Sequence, residues 1–206
     1  MRRTLIVLCI ATTLLPATGA TGAPRCTIRG TLGSDVLDGT SGNDVICGFA
    51  GNDTIRAGAG NDVILGGRGN DVIHGEQGDD RIRGGIGRDV LFGDAANDRI
   101  RGGRGADEIR GYFGSDTIRG GRGRDAVFGG PDVDVLKGGA ANDRIRGGLD
   151  ADEIEGNGGG DRLIGWGGDD LIDGTDGVGG NDTLKGSQGT DTCDSDPGDT
   201  ELRCEL

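Results

Sequence analysis

The chain has 206 residues, 47 of them glycine, with aromatics at only 3%. Four prolines and no three-residue glycine period exclude a collagen-like rod, and so much glycine excludes an ordinary side-chain core, because glycine is costly to order. A formal charge of −13 with modest hydrophobicity would describe a disordered chain if the order of the residues did not say otherwise.

In chain order, residues 1–20 read as a signal peptide. Arg2 and Arg3 form a basic start, an apolar stretch runs from Leu5 to Leu15, Pro16 ends it, and small residues follow from Ala17 to Ala23. That stretch suits a signal core and is too short to span a bilayer. Cleavage is expected after Gly19 or Ala20, because cleavage after Ala23 would put the disfavoured Pro24 first. Arg2-Arg3-Thr4-Leu5 also bears a faint likeness to a twin-arginine signal. Removing residues 1–20 takes away two arginines, so −13 becomes −15. No later segment is apolar enough to form a transmembrane span. The chain is therefore expected outside the cell, as a secreted monomer.

Cys9 leaves with the signal, and Cys26, Cys47, Cys193 and Cys204 remain. An even count in an exported chain indicates disulfides, and four cysteines allow three pairings. Cys26–Cys47 with Cys193–Cys204 is favoured, because each pair brackets one end of the region described next. Each closed loop would contribute about 3 kcal/mol through chain entropy.

From Gly30 the chain divides into nonapeptides without a gap: GTLGSDVLD, GTSGNDVIC, GFAGNDTIR and onward. Sixteen units reach Asp173, a seventeenth (174–185) carries three extra residues, and an eighteenth ends at Asp194. Residues 21–29 and 195–206 are left as caps. In the sixteen regular units, position 1 is Gly in all but Ala57, position 6 is always Asp, and position 8 is always aliphatic. Positions 1–6 read as a glycine turn and positions 7–9 as a short strand. Alternation along the strand turns position 8 inward and positions 7 and 9 outward. One inward side chain per nine residues cannot make a core alone, so the units must stack. The expected fold is all-β: a parallel β-roll, or β-solenoid, over residues 30–194 with two short strands per 18-residue coil.

The run Gly66-Gly67-Arg68-Gly69-Asn70-Asp71-Val72-Ile73-His74 resembles the GGxGxDxUx repeat of the repeats-in-toxin (RTX) family, and the likeness covers residues 30–194. The resemblance implies a parallel β-roll with multiple Ca²⁺ ions between turns, held by turn carbonyls and the position-6 Asp. Ligand chemistry leads to the same ion: carboxylates, carbonyls and water are hard oxygens, and flexible carbonyl-rich turns suit Ca²⁺ better than Mg²⁺. Aspartates 18 apart form two files, Asp35 to Asp161 and Asp44 to Asp170. At about 5 Å between rungs, neighbours repel by roughly 0.8 kcal/mol in water, or about 13 kcal/mol over both files, continued to Asp182 and Asp191, before salt screening. That rivals the whole stability of a typical domain, about 5–15 kcal/mol, so the metal-free chain is expected to be unfolded.

The candidate ligands are Asp35, Asp44, Asp53, Asp62, Asp71, Asp80, Asp89, Asp107, Asp116, Asp125, Asp161 and Asp170, with Asp35 to Asp89 in the cleanest units. Position 4 departs from Gly at Ala96, Asp132, Ala141 and Asp150, and Pro131 adds to the irregularity. If that position needs positive φ, weak sites are expected near Asp98, Asp134 and Asp152.

Outward positions of even-numbered repeats carry Arg81, Arg83, Arg99, Arg101, Arg119 and Lys137. Two readings are open: a stripe holding an anionic polysaccharide, lipid headgroup or cell surface, or a solvated face that discourages aggregation. Odd-numbered repeats place Val90, Phe92 and Phe128 outward as a candidate apolar patch. Nucleic acid is not expected, because aromatics do not interleave with those arginines. Catalysis is not expected either: His74 is the only histidine and holds an ordinary outward position. Irregular outward positions argue against ice binding. A short segment before the repeats and an N-terminal signal favour a free-standing structural or adhesive protein over a Ca²⁺-dependent module of a toxin or exoenzyme.

Overall fold

The computed structural model describes residues 25–178 and 181–204; the expected signal peptide and residues 21–24 of the expected N-terminal cap lie outside them. Alternation of an inward aliphatic residue, most often the β-branched Ile, with outward residues makes each repeat a strand former. The strands are longer than the repeat pattern suggests. Val72–Gln77 takes in positions 7–9 of one repeat and positions 1–3 of the next. The glycine at position 1 lies buried, as at Gly75 and Gly84, and continues the inward alternation instead of opening a turn. The turn proper is confined to positions 4–6.

The described residues form twenty strands in two ten-stranded parallel sheets, and consecutive strands alternate between the sheets. Pairing advances by one coil at a time. Ile64, Ile82 and Ile100 are successive partners in the first sheet, and Ile73, Leu91 and Ile109 in the second. This is the expected β-roll. The three-residue insertion is absorbed outside the ladder: Leu163 pairs with Leu184, and the register resumes. The terminal segments also supply rungs, Ile28–Arg29 against Ile46 and Cys47, and Thr200–Leu202 against Thr183–Lys185.

Position 8 from both sheets fills the narrow interior. Leu37, Ile46, Ile55 and their successors to Leu184 form one apolar cluster. Most are fully shielded, and each contributes about 1.5–3 kcal/mol by leaving water. Disulfides Cys26–Cys47 and Cys193–Cys204 close the two ends, the pairing favoured from sequence. Cys193 takes the inward position and packs against the end of the cluster. No helix among the described residues is long and apolar enough to cross a membrane.

Ile118 lies mid-array with no exposure. Ile118→Ala should cost the metal-loaded protein about 2–5 kcal/mol through the cavity it leaves. Chemical denaturation in millimolar Ca²⁺ measures this, and a loss below the cost of a surface substitution would contradict the packing described.

Candidate metal centre

Each position-6 Asp directly precedes a strand, so the two sheets place one file of carboxylates along each edge of the roll. The contact that fixes them repeats from coil to coil. Asp53 Oδ1 accepts the Asp35 N–H at 2.9 Å, Asp71 Oδ1 accepts the Asp53 N–H at 2.9 Å, and Asp62 Oδ1 accepts the Asp44 N–H at 2.7 Å. The pattern passes the insertion and ends with the Asp170 N–H on Asp191 Oδ1 at 3.2 Å. The other oxygen, Oδ2, is buried without a hydrogen-bond partner in sixteen carboxylates from Asp53 to Asp191.

The position-1 glycine makes room for that oxygen. A methyl group on Gly138 would stand 2.5 Å from Asp143 Oδ2 and 2.8 Å from the carbonyl oxygen of Gly156 in the next coil. A bare Cα thus leaves room for a carboxylate and a carbonyl of the adjoining coil to converge, and Ala57 alone among the regular repeats fills this position with a methyl group.

Buried carboxylate oxygens without donors are costly, and a cation or a proton is what satisfies them. The donor set is all hard oxygen and fits Ca²⁺. Among the described residues no three His, Cys, Asp or Glu side chains converge on one point. A cation here would therefore draw much of its shell from turn carbonyls.

The sequence-predicted ligands do not stand equally. Asp62, Asp71, Asp80, Asp89, Asp107, Asp116, Asp125, Asp161 and Asp170 share the arrangement of Asp53. Asp35 and Asp44, counted among the cleanest, differ. Thr31 gives both its N–H (2.6 Å) and its hydroxyl (2.9 Å) to Asp35 Oδ2, and Thr40 gives Asp44 the same pair at 2.9 and 2.8 Å. The first rung of each file is thus satisfied by its own repeat. Units expected to be weak keep the carboxylate geometry: Asp98, Asp134 and Asp152 each accept the coil-to-coil N–H at 2.8–2.9 Å. Their irregularity resides in the backbone, where Ala96, Asp132, Ala141 and Asp150 adopt φ of +83°, +76°, +84° and +64°.

Two features were missed from sequence. From the third to the sixteenth repeat position 2 is also left-handed, and Phe49, Glu76, Asp94, Tyr112, Asn157 and Trp166 adopt it without being glycine. Position-5 asparagines form a second ladder beside the aspartates. Asn61 and Asn70 N–H groups donate to Asn43 and Asn52 Oδ1 at 2.9 and 2.8 Å. The recurring Gly-Asn-Asp triplet was the available signal.

The outward faces also differ from expectation in one respect. Phe92 and Phe128 do not form an apolar patch, because Arg110 pairs between them and lies over both rings, at 5.8 and 5.5 Å from their centroids. His74 stacks on Phe92 and sits 3.0 Å from Asp94 Oδ2. Arg81, Arg83, Arg99, Arg101, Arg119 and Lys137 lie together on the first sheet.

Burial raises the carboxyl pKa values of the position-6 aspartates from Asp53 to Asp182, the coil-to-coil N–H partly offsets it, and in most of them neighbouring aspartates add to the rise. Asp71 moves to about 6, Asp89 and Asp125 to about 7, and Asp143 and Asp152 to about 8. Without metal, the folded chain then holds protons more tightly than the unfolded chain, where the ordinary value is 3.8. The contribution of these groups to metal-free stability is fullest below that value and is lost as pH rises toward 6–8. After thorough removal of metal, circular dichroism should show more β structure at pH 5 than at pH 8, and calcium affinity should change in the opposite sense. An identical metal-free signal at both pH values would contradict this.

A family model for the RTX calcium-binding nonapeptide repeat matches residues 29–64, 56–91, 92–127, 128–163, 147–178 and 176–202, most of the chain. No curated protein matches it. With two files of buried carboxylates on a β-roll and the repeat model matching from end to end of the array, the chain belongs to the RTX calcium-binding nonapeptide repeat family.

Proposed function

We propose that this protein is an extracellular, structural or adhesive calcium-binding roll that folds as it loads, with the position-6 aspartates from Asp53 to Asp191 as the carboxylate ligands. One observation carries the reading: sixteen buried carboxylate oxygens lack a hydrogen-bond partner. A chain cannot bury that many charges on core energy alone, when each coil offers only two inward aliphatic side chains. Binding Ca²⁺ would convert the repulsion into ligation and make folding and binding one event. Asp35 and Asp44, already satisfied by Thr31 and Thr40, would act as the first supports of each file. Export is supported by the N-terminal pattern of the sequence and by the two disulfides, which need an oxidising compartment.

In EGTA at neutral pH the oxidised chain should lack the β signal in circular dichroism and gain it with millimolar Ca²⁺. The same folded signal in both conditions would overturn coupled folding. A finer test uses Asp107→Asn and Asp116→Asn, which keep an acceptor for the coil-to-coil N–H and remove the charge. Each should lower the number of Ca²⁺ bound in calorimetric titration and raise the Ca²⁺ concentration needed to fold. Unchanged stoichiometry would remove that residue from the ligand set.

A further inference from the structure

The two faces of the roll handle positive charge differently. On the second sheet the outward file alternates cation and ring: Phe92, Arg110, Phe128 and Arg146 are successive partners. Arg110 also pairs with Glu108 at 2.5 Å, and Arg146 lies 3.6 Å over Trp166. On the first sheet Arg83, Arg101, Arg119 and Lys137 are successive partners in one unbroken file, with Arg81 opposite Arg99 beside it. Like charges directly opposite on a sheet destabilise it. Among the described residues, Lys137 with Glu155 at 2.5 Å is the sole ion pair on this file.

Beside the file runs a trough. The outward position after the basic residue is glycine in four consecutive strands, Gly85, Gly103, Gly121 and Gly139, and Gly67 continues the glycine file beside Leu65. Elsewhere the same backbone position carries Phe49, Glu76, Asp94, Tyr112 or Trp166, so positive φ alone does not demand glycine there. Exposed Arg68, Arg104 and Arg122 follow those glycines along the turn edge. A groove of about 300 Å³ results, lined by Arg101, Arg119 and Lys137 over Gly103, Gly121 and Gly139. Asn157 and Glu155 close it at one end. The basic file borders this side-chain-free floor for three coil spacings, roughly 15 Å.

We propose that this trough binds a linear anionic polysaccharide lying along the axis of the roll. The floor is narrow and straight, the cations recur once per coil, and guanidinium forks suit carboxylate and sulfate groups. The face carries one ring, Phe49, beyond Gly67 at the end of the glycine file and under Arg29, and so lacks the successive aromatic platforms that hold single-stranded nucleic acid; Phe92, Tyr112, Phe128 and Trp166 sit on the opposite sheet. Nor does it carry the run of exposed apolar residues that would enter a bilayer. The inference needs the roll to be folded, and so rests on the calcium-dependent reading only for the existence of the face.

The test is calorimetric titration of the full-length, Ca²⁺-loaded protein with size-fractionated heparin oligosaccharides. Binding should strengthen with oligosaccharide length until about 15 Å is spanned, then level off, and should weaken with salt. The triple variant Arg101→Gln, Arg119→Gln, Lys137→Gln should lose about tenfold in affinity, while Arg56→Gln, Arg144→Gln, Arg162→Gln on the other sheet loses less than about threefold for the same change in charge. Dichroism in Ca²⁺ must match wild type for both variants, which separates loss of the face from loss of folding. Equal losses in the two variants, no heparin binding by a folded protein, or equal or tighter binding to phosphatidylglycerol vesicles or a single-stranded oligonucleotide would each overturn the proposal.

Discussion

The structure depends on burying one carboxylate for every nine residues. Past the first rung of each file, an aspartate is pinned through one oxygen to the backbone of the preceding coil, and in most repeats the other oxygen faces the bare Cα of a glycine, Ala57 being an exception. Several properties descend from that placement. Position 1 must be small, the turn must be tight, and the coils must keep one register along the whole array. The apolar interior, two aliphatic side chains per coil, supports this geometry but is too thin to compel it.

Much of this was legible in the sequence. Position 8 announced the inward file, because nothing but an aliphatic residue occupied it before Cys193. The 18-residue coil, the two edges and the disulfide pairing followed from counting. The length of the strands did not, because a glycine that packs inward and a glycine that turns the chain look alike in one dimension. Nor did the first rungs: Thr31 and Thr40 occupy position 2, and their reach to Asp35 and Asp44 depends on where the chain enters the roll. The irregular position-4 residues were correctly suspected of left-handed backbone, yet the carboxylates beside them stay in line, since the ladder on either side holds each coil in register.

The aromatic residues show how a thin solenoid uses its outer surface. Phe92 touches His74, Tyr112 and Arg110, so ring and guanidinium cover one another across coils. Such contacts add cross-strand stabilisation where the interior offers little room for more.

The alternation of strands between two sheets has a consequence for how the array can change in length. Every repeat has the same inward side chain, the same aspartate and the same turn, so losing one nonapeptide would leave both carboxylate files continuous. It would also exchange the two faces beyond the point of loss. The arginines that line up on one side would then continue on the other, and Phe92 and Phe128 could end on opposite sides of the roll. Gain or loss of a whole coil, by contrast, preserves every face. Selection on the roll alone is therefore indifferent between steps of nine and steps of eighteen, while selection on a surface accepts only the latter. The unbroken basic file from Arg83 to Lys137 is a record of surface parity kept over four coils.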